Sequence, residues 1–502
     1  MKHLVVFDVP SIKDYVFGTD RLVEIRGASA LLDHLNRIGT ERFLKTALGD
    51  TAVDLVFAGG GASQFLLNGD EGRIDDVIEE LKGCFVKESR GGLRLVSGRA
   101  EMVRGQYRES LASAFMRMKQ EKEENPFRST PAMHSGLIRE CDSCSGMATT
   151  VEEHAGDEVI LCDTCHRKLD FGRTNKGLWR GFEEFLDSRG ANDTFERPTT
   201  FEEIGSSSKK AGYLALVYAD GNHMGKIIRS IDDRKQFAFF SQTIDTCIRE
   251  ACHEALAESL AIPAVRADIL LLGGDDLLVC LSADAAFPFA ISVADKFHEK
   301  TKARFGRSGL APVGTREEGV TLSLGIAFGK SHTPFFVLLE QAEELLRSAK
   351  RGGSCDVTAN DSYVPSYIDF HDTSQFNQVH VHDSRERFLT RRHVRHELHF
   401  HCRPYSLDQA HKLLQHAAAI VASDLPRSRT IRLRQAPFLG KMNGTIECLK
   451  LIGRVKEKGQ RQVLLDALNE LDCLTSLPWR DLEGTVCSTA LVDLIELTEL
   501  MR

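Results

Sequence analysis

Residues 270–279 read Leu-Leu-Leu-Gly-Gly-Asp-Asp-Leu-Leu-Val, two apolar half-strands joined by two glycines and two adjacent carboxylates. Gly273 and Gly274 suit the positive φ of a tight hairpin turn, and the flanks are strand-like. Turn geometry asks for no acids, however, and Asp275 and Asp276 repel each other unless positive charge lies beside them. A divalent metal is the candidate; a surface turn with two solvated acids is the alternative. About fifty residues earlier, the β-prone run 213–219 delivers Asp220-Gly221-Asn222 at its C-terminal end. If that strand neighbours the hairpin, Asp220, Asp275 and Asp276 converge and can hold one or two hard cations, Mg²⁺ or Mn²⁺. Two such ions about 3.5–4 Å apart activate an attacking hydroxyl and stabilise a leaving pyrophosphate.

The segments around these pieces predict an α+β unit. Residues 236–260 carry Phe240, Ile244, Ile248 and Leu256 at helical spacing. Hairpin arms follow at 264–272 and 277–281, a second helix at 285–305 and a strand at 320–328. That order is β-α-β-β-α-β, the ferredoxin-like unit, with helices expected on one sheet face and the other left for nucleotide. A third helix, 334–350, ends in Lys350, which either reaches a triphosphate or only complements the helix dipole.

The N-terminal part reads as a degenerate copy of this unit. Residues 3–8 form a strand ending in Asp8, and residues 52–68 hold a hairpin with Gly59-Gly60-Gly61, where Ala62 and Ser63 stand in place of acids. Between the copies, Cys141-Asp-Ser-Cys144 and Cys162-Asp-Thr-Cys165 are separated by seventeen residues. Two such knuckles present four thiolates to one tetrahedral ion, so a structural Zn²⁺ is expected, with a redox pair or unrelated thiols as the alternative. His154 and His166 are spare to a complete set of four.

The other nine of the thirteen cysteines lack framework spacing, a reducing-cytosol pattern. No secretory leader is read before His3 and no run approaches membrane-spanning length, so a cytoplasmic protein is expected. The net charge of −8 argues against a protein that coats nucleic acid by itself. A local basic stretch, 385–403, contains Arg385, Arg387, Arg391, Arg392, Arg395 and Arg403 among His and Phe residues; it reads equally as an RNA or subunit contact and as a solvated face. The dipeptides His371-Asp372 and His382-Asp383 are expected in a polar connection, without metal hydrolysis. From Ser406, a plausible N-cap, apolar residues recur at helical spacing.

Together, the Asp220 strand, the Gly273-Gly274-Asp275-Asp276 hairpin, the Ser323-Leu-Gly325 strand and the Ala349-Lys350 helix end resemble the palm domain of class III nucleotidyl cyclases, diguanylate cyclases and CRISPR polymerase-cyclases. More specifically, the chain resembles the large palm-domain subunit of type III CRISPR effector complexes, Cmr-type branch, without the N-terminal HD nuclease domain many members carry. The resemblance implies two ferredoxin-like palms, a zinc-ribbon insertion and a helical C-terminal domain, with limits 1–112, 113–211, 212–403 and 404–502. It implies cyclic oligoadenylate synthesis from ATP, with Asp220, Asp275 and Asp276 holding metal and Gly221, Gly273, Gly274, Ser323 and Lys350 contacting nucleotide. Partners would be other Cas subunits, crRNA and target RNA. A non-catalytic scaffold and a free-standing cyclase remain as alternatives.

Overall fold

From Leu214 to Ala219 every residue of the strand Tyr213–Gly221 is buried. A strand apolar on both faces must be covered on both. The computed structural model describes residues 2–103, 105–124, 139–154, 156–190, 197–259, 267–355, 363–375, 380–392, 396–472, 478–481 and 486–502.

The N-terminal sheet is built from β1 (Lys2–Asp8), β2 (Val53–Gly59), β3 (Ala62–Asn68) and β4 (Val96–Glu101), with helices Leu22–Asp33 and Glu71–Glu88 in the crossovers. Its order is β2-β3-β1-β4, all neighbours antiparallel. A hairpin of β5 (Thr150–His154) and β6 (Asp157–Leu161) leads into helix Asp163–Thr174. The second β-α-β-β-α-β run is β7 (Tyr213–Gly221), helix Arg234–Ser259, β8 (Ala267–Gly273), β9 (Asp276–Ser282), helix Ala283–Gly306 and β10 (Leu322–Lys330). Its four strands lie in the equivalent order β8-β9-β7-β10. The expected elements are present within a few residues; positions 260–266, at the start of the first hairpin arm, lie outside the described residues.

The two hairpins match in detail. Each has a two-residue turn, closed by Gly59 opposite Ala62 and by Gly273 opposite Asp276, and each β-ladder shifts register three residues before that closing glycine. This superposition corrects the sequence reading: the positions of Asp275 and Asp276 are taken by Gly61 and Ala62, one residue earlier than expected. Asp8, opposite Ala62, stands where Asp220 does, and its carboxylate accepts from Lys122 Nζ at 3.1 Å.

Three expectations need correcting. The second sheet does not end at β10, because β11 (Tyr367–Asp372) pairs parallel to it and Tyr405–Ser406 pairs with β11. Nor is one sheet face left open. Helices Arg234–Ser259 and Ala283–Gly306 cover one side, while Leu214, Leu216, Tyr218, Leu278 and Cys280 pack on the other against helix Phe335–Cys355 and the N-terminal half. Lastly, His371-Asp372 ends a buried strand instead of lying in a polar connection; burial pushes the His371 imidazole down to about 3.

The basic stretch is also divided. Arg385 is buried against Asp369 at 2.6 Å, and Arg403 against Asp493 at 2.8 Å and Glu496 at 3.1 Å, because interior carboxylates need cations. Arg391 and Arg392 are exposed, and Arg395 lies outside the described residues. The C-terminal part is helical: Leu407–Ala422, Arg427–Gln435, Lys441–Gly453, Lys458–Asp472 and Leu491–Leu500. Ser406 caps the first of these in a capping box with Gln409. A small sheet of two- and three-residue strands, Thr390–Arg392, Glu397–His399, Val486–Ser488 and Arg480–Asp481, joins this part to the segment before it; such strands are too short to show periodicity.

The cysteine-bearing insertion is fastened by a helix crossing. Gly27 on Leu22–Asp33 and Gly172 on Asp163–Thr174 let the two backbones touch: a Cβ at Gly27 would lie 1.9 Å from Lys168 O, and one at Gly172 would lie 2.1 Å from Val23 O. Gly27→Ala is therefore expected to lower unfolding free energy by about 3 kcal/mol or more, read by denaturant titration. A loss under about 0.5 kcal/mol, the range of an ordinary surface substitution, would contradict this crossing.

Candidate active site

Antiparallel register brings the acids together. Ala219 pairs with Leu277, so the next residues along, Asp220 and Asp276, emerge side by side from β7 and β9. Gly221 continues β7 directly against the turn: a Cβ there would lie 3.0 Å from Asp275 Cβ. Gly274 takes φ 66°, a conformation that favours glycine. The expected convergence of Asp220, Asp275 and Asp276 is thus present at the strand ends.

The electrostatics of this corner are those of crowded, buried acids only partly offset by two ammonium groups. Burial first, then the neighbouring Asp220 and Asp276, push the Asp275 carboxyl up to about 8. Burial and Asp220 push Asp276 up to about 7, against the pull of Lys13 and Lys350. Lys350 Nζ donates to Asp220 Oδ2, and to Gly221 O at 3.4 Å. An ammonium thus sits where the acids call for positive charge, and the donor set fits a hard cation.

Ser323 requires correction. It pairs in register with Asp220, but its side chain is fully buried and its Oγ donates to Asn222 Oδ1 at 2.8 Å. Asn222 Nδ2 in turn donates to Thr321 Oγ1 at 2.9 Å. Ser323, on the same sheet face as its register partner Asp220, is therefore enclosed and braces the β7 end through Asn222. Gly273 is closed in as well, since a Cβ there would meet Gly60 N and Arg37 Nη2 at 3.4 Å. The turns of the two hairpins consequently abut.

The sequence suggests that the N-terminal copy could shape the nucleotide pocket without binding catalytic metal, but it does not single out Lys13. Lys13 Nζ reaches Glu343 Oε1 at 2.7 Å and lies 5.5 Å from the centre of the Tyr218 ring. A cavity of about 150 Å³ between the halves is lined by Lys13, Ser29, Asn36, Gly60, Tyr218 and Asp276, among others. No spacing pattern could have announced Lys13, which lies more than two hundred residues from the acids and meets them only through the contact of the two sheets.

The four knuckle cysteines form a separate site. Among the described residues, Cys141, Cys144, Cys162 and Cys165 are the group whose ligand atoms all lie within 4.8 Å of one another. The Cys144 and Cys162 Sγ atoms are 3.6 Å apart, and the Cys165 N–H points at Cys162 Sγ at 3.5 Å. Sulfurs of a tetrahedral thiolate site with ~2.3 Å bonds lie about 3.8 Å apart, so the set could hold a metal ion. His166 instead contacts Glu152 at 2.9 Å. No helix among the described residues is long and apolar enough to cross a membrane.

Residues 213–359 match the family model of the Cas10/Cmr2 second palm domain. A CRISPR system single-strand-specific deoxyribonuclease Cas10/Csm1 (subtype III-A) of Thermococcus onnurineus (strain NA1) is 23% identical over 437 residues, covering 70% of this chain and 54% of its own length. The chain thus spans about half the length of that curated relative. Csm1 of T. onnurineus has a similar fold, with TM-score 0.59 and 14% identity over 100% of this chain and 70% of its own. The Csm1-Csm4 cassette solved in complex with cA4 gives the same values, and the one solved with AMPPNP gives TM-score 0.56 at 13% identity, covering 100% of this chain and 70% of its own. Residues 213–359 thus match a Cas10/Cmr2-type second palm domain, and the chain as a whole is similar to Cas10-type proteins.

Proposed function

We propose that the chain is a metal-dependent nucleotidyltransferase that makes cyclic oligoadenylate from ATP as the large subunit of a type III CRISPR effector. The observation that carries this reading is the emergence of Asp220, Asp275 and Asp276 at one corner, crowded enough to hold protons near neutrality. That Csm1-Csm4 was solved with cA4 and with AMPPNP supports it by analogy of fold. We read the two sheets as paired ferredoxin-like palms, with the limits expected from the sequence, and the cysteine insertion as a zinc ribbon. Its partners would be other Cas subunits, crRNA and target RNA, in the cytoplasm.

Asp220, Asp275 and Asp276 would hold one or two Mg²⁺ or Mn²⁺ ions. When bound, these supply charge stabilisation for the leaving pyrophosphate and lower the pKa of the attacking 3′-hydroxyl. Gly221 and Gly274 keep the corner free of side chains so that phosphate can approach. Lys350, released from Asp220, is placed to steady the triphosphate, with Lys13 facing it from the other half. Lys350→Ala is expected to raise the ATP KM roughly 10- to 100-fold, the loss of one charge-assisted hydrogen bond. An unchanged KM would leave Lys350 with only its ion pair to Asp220.

The test is incubation of the purified protein, alone and reconstituted with guide and target RNA, with labelled ATP and Mg²⁺ or Mn²⁺. Mass spectrometry of the product then gives ring size. Absence of product under every condition would favour the scaffold reading; equal activity without guide RNA or partners would favour a free-standing cyclase.

A further inference from the structure

Behind the Gly273-Gly274 turn, four charged side chains from two distant parts of the chain form a closed network. Asp245, on helix Arg234–Ser259, accepts from the Gly274 N–H at 2.9 Å through Oδ1. The same carboxylate is gripped by Arg37, whose Nη1 donates to Oδ2 at 3.0 Å and whose Nη2 donates to Oδ1. Arg249 Nε reaches Asp245 Oδ2 at 3.2 Å, and its Nη2 donates to Leu272 O at 2.8 Å. Asp33 closes the ring, accepting from Arg37 Nε at 2.7 Å and Arg249 Nη2 at 3.4 Å.

The backbone groups on either side of Gly273, immediately before Asp275, are therefore both held by this network. Two of its members, Asp33 and Arg37, belong to the N-terminal half. Arg37 sits on a π-helical turn, His34–Gly39, whose wider winding departs from the helix that precedes it. Although burial alone would push the Asp245 carboxyl up, hydrogen bonds from Arg37 and the charge of Arg249 hold it below the ordinary range. The pair is a bidentate guanidinium–carboxylate contact, a geometry lysine cannot reproduce.

We propose that Arg37 and Asp245 are positioning residues that latch the N-terminal half, whose own hairpin turn carries no acids, onto the Gly273-Gly274 turn and so set where Asp275 and Asp276 stand. Asp245 acts through the Gly274 N–H, Arg37 acts by gripping Asp245, and Arg249, oriented by the same carboxylate, holds the Leu272 carbonyl. The N-terminal half thereby has a part in the reaction although its own hairpin turn carries Gly61 and Ala62 in place of the two acids. The catalytic consequence rests on the nucleotidyltransferase reading, whereas the latch itself does not.

Two readouts separate these claims. Hydrogen exchange followed by mass spectrometry on metal-free protein is expected to show at least about a tenfold faster exchange of the 272–276 amides in Arg37→Met and Asp245→Asn, one pKa-unit equivalent in opening free energy. Protection of β1 and β10 unchanged from wild type would certify the fold. Arg37→Met keeps the aliphatic stem, so misfolding is avoided where Arg37→Ala would leave a hole. With ATP, both variants are expected to lose about 10²-fold in kcat, the cost of roughly 1 Å of misplacement, with KM for ATP within twofold and the Mg²⁺ midpoint raised. Arg37→Lys should fall between Arg37→Met and wild type. Unchanged exchange at 272–276 would overturn the latch whatever the activity; faster exchange with unchanged kcat would overturn its positioning role. If wild type makes no product at all, the functional reading fails and the exchange result still decides the latch.

Discussion

Replacing Asp275 and Asp276 together by asparagine is expected to abolish product formation from ATP while raising the melting temperature of the protein at pH 8 with Mg²⁺ and Mn²⁺ omitted. If the two carboxylates hold metal as proposed, their loss removes several kcal/mol of charge stabilisation, about 10³-fold or more in rate. The stability gain follows from linkage. Both carboxyls have folded values pushed up, to about 8 and about 7, from an ordinary value of 3.8. Between about pH 4 and pH 8 the folded state therefore binds more protons than the unfolded chain, and stability falls as pH rises through that window. Asparagine keeps the shape and removes the repulsion, so the difference between variant and wild type should grow from pH 5 to pH 8. Adding Mg²⁺ at pH 8 should stabilise wild type and leave the variant unmoved. Undiminished synthesis would show that Asp275 and Asp276 do not carry the reaction, and a variant less stable than wild type at pH 8 would show that their carboxylates do not repel each other in the fold.

The second large effect concerns the four cysteines. Cys141→Ser with Cys162→Ser is expected to abolish binding of one zinc ion per chain, measured by atomic spectroscopy on extensively dialysed protein. Structural zinc supplies on the order of 10 kcal/mol to the segment it closes. Among the described residues its own apolar cluster is small: Val159, Leu161, Leu169, Cys141, Cys162 and Cys165 seated on Val23, with Phe171 reaching the N-terminal core. Because Gly27 and Gly172 lock its helix onto Leu22–Asp33, loosening should spread into the N-terminal half. Limited proteolysis within 139–174 is expected in the double variant and not in wild type. A chain that contains no zinc as purified yet resists protease there would show that packing alone holds the insertion.

Much of the candidate site was legible because its parts are local. The Leu270–Val279 hairpin, the acid at the end of β7 and both cysteine knuckles are written in contiguous residues whose chemistry has few uses. Strand and helix periods were strong enough in 213–330 to place the second β-α-β-β-α-β run within a few residues. The one-residue slip in the N-terminal hairpin has a local cause too: glycines at 59, 60 and 61 offer two equivalent turn placements, and the pairing of Gly59 with Ala62 selects one. The charges of the 385–403 stretch misled because side-chain type does not say which face is buried. Arg385 and Arg403 turned inward only because Asp369, Asp493 and Glu496 lie in the interior opposite them.

The amino-acid order by itself determined a twice-written β-α-β-β-α-β pattern, three aspartates at strand ends in the second copy, and four thiols in two knuckles. It could do so because dihedral preference, hydrophobic period and ligand spacing act over a few residues. Only the tertiary structure decided that the second sheet is covered on both faces, that Ser323 is enclosed and braces β7 through Asn222, and that Lys13, Asp33 and Arg37 reach the corner of Asp220, Asp275 and Asp276 from the other half. Those outcomes depend on how two apolar sheet faces bury each other, a free-energy minimum of the whole chain that no local spacing encodes.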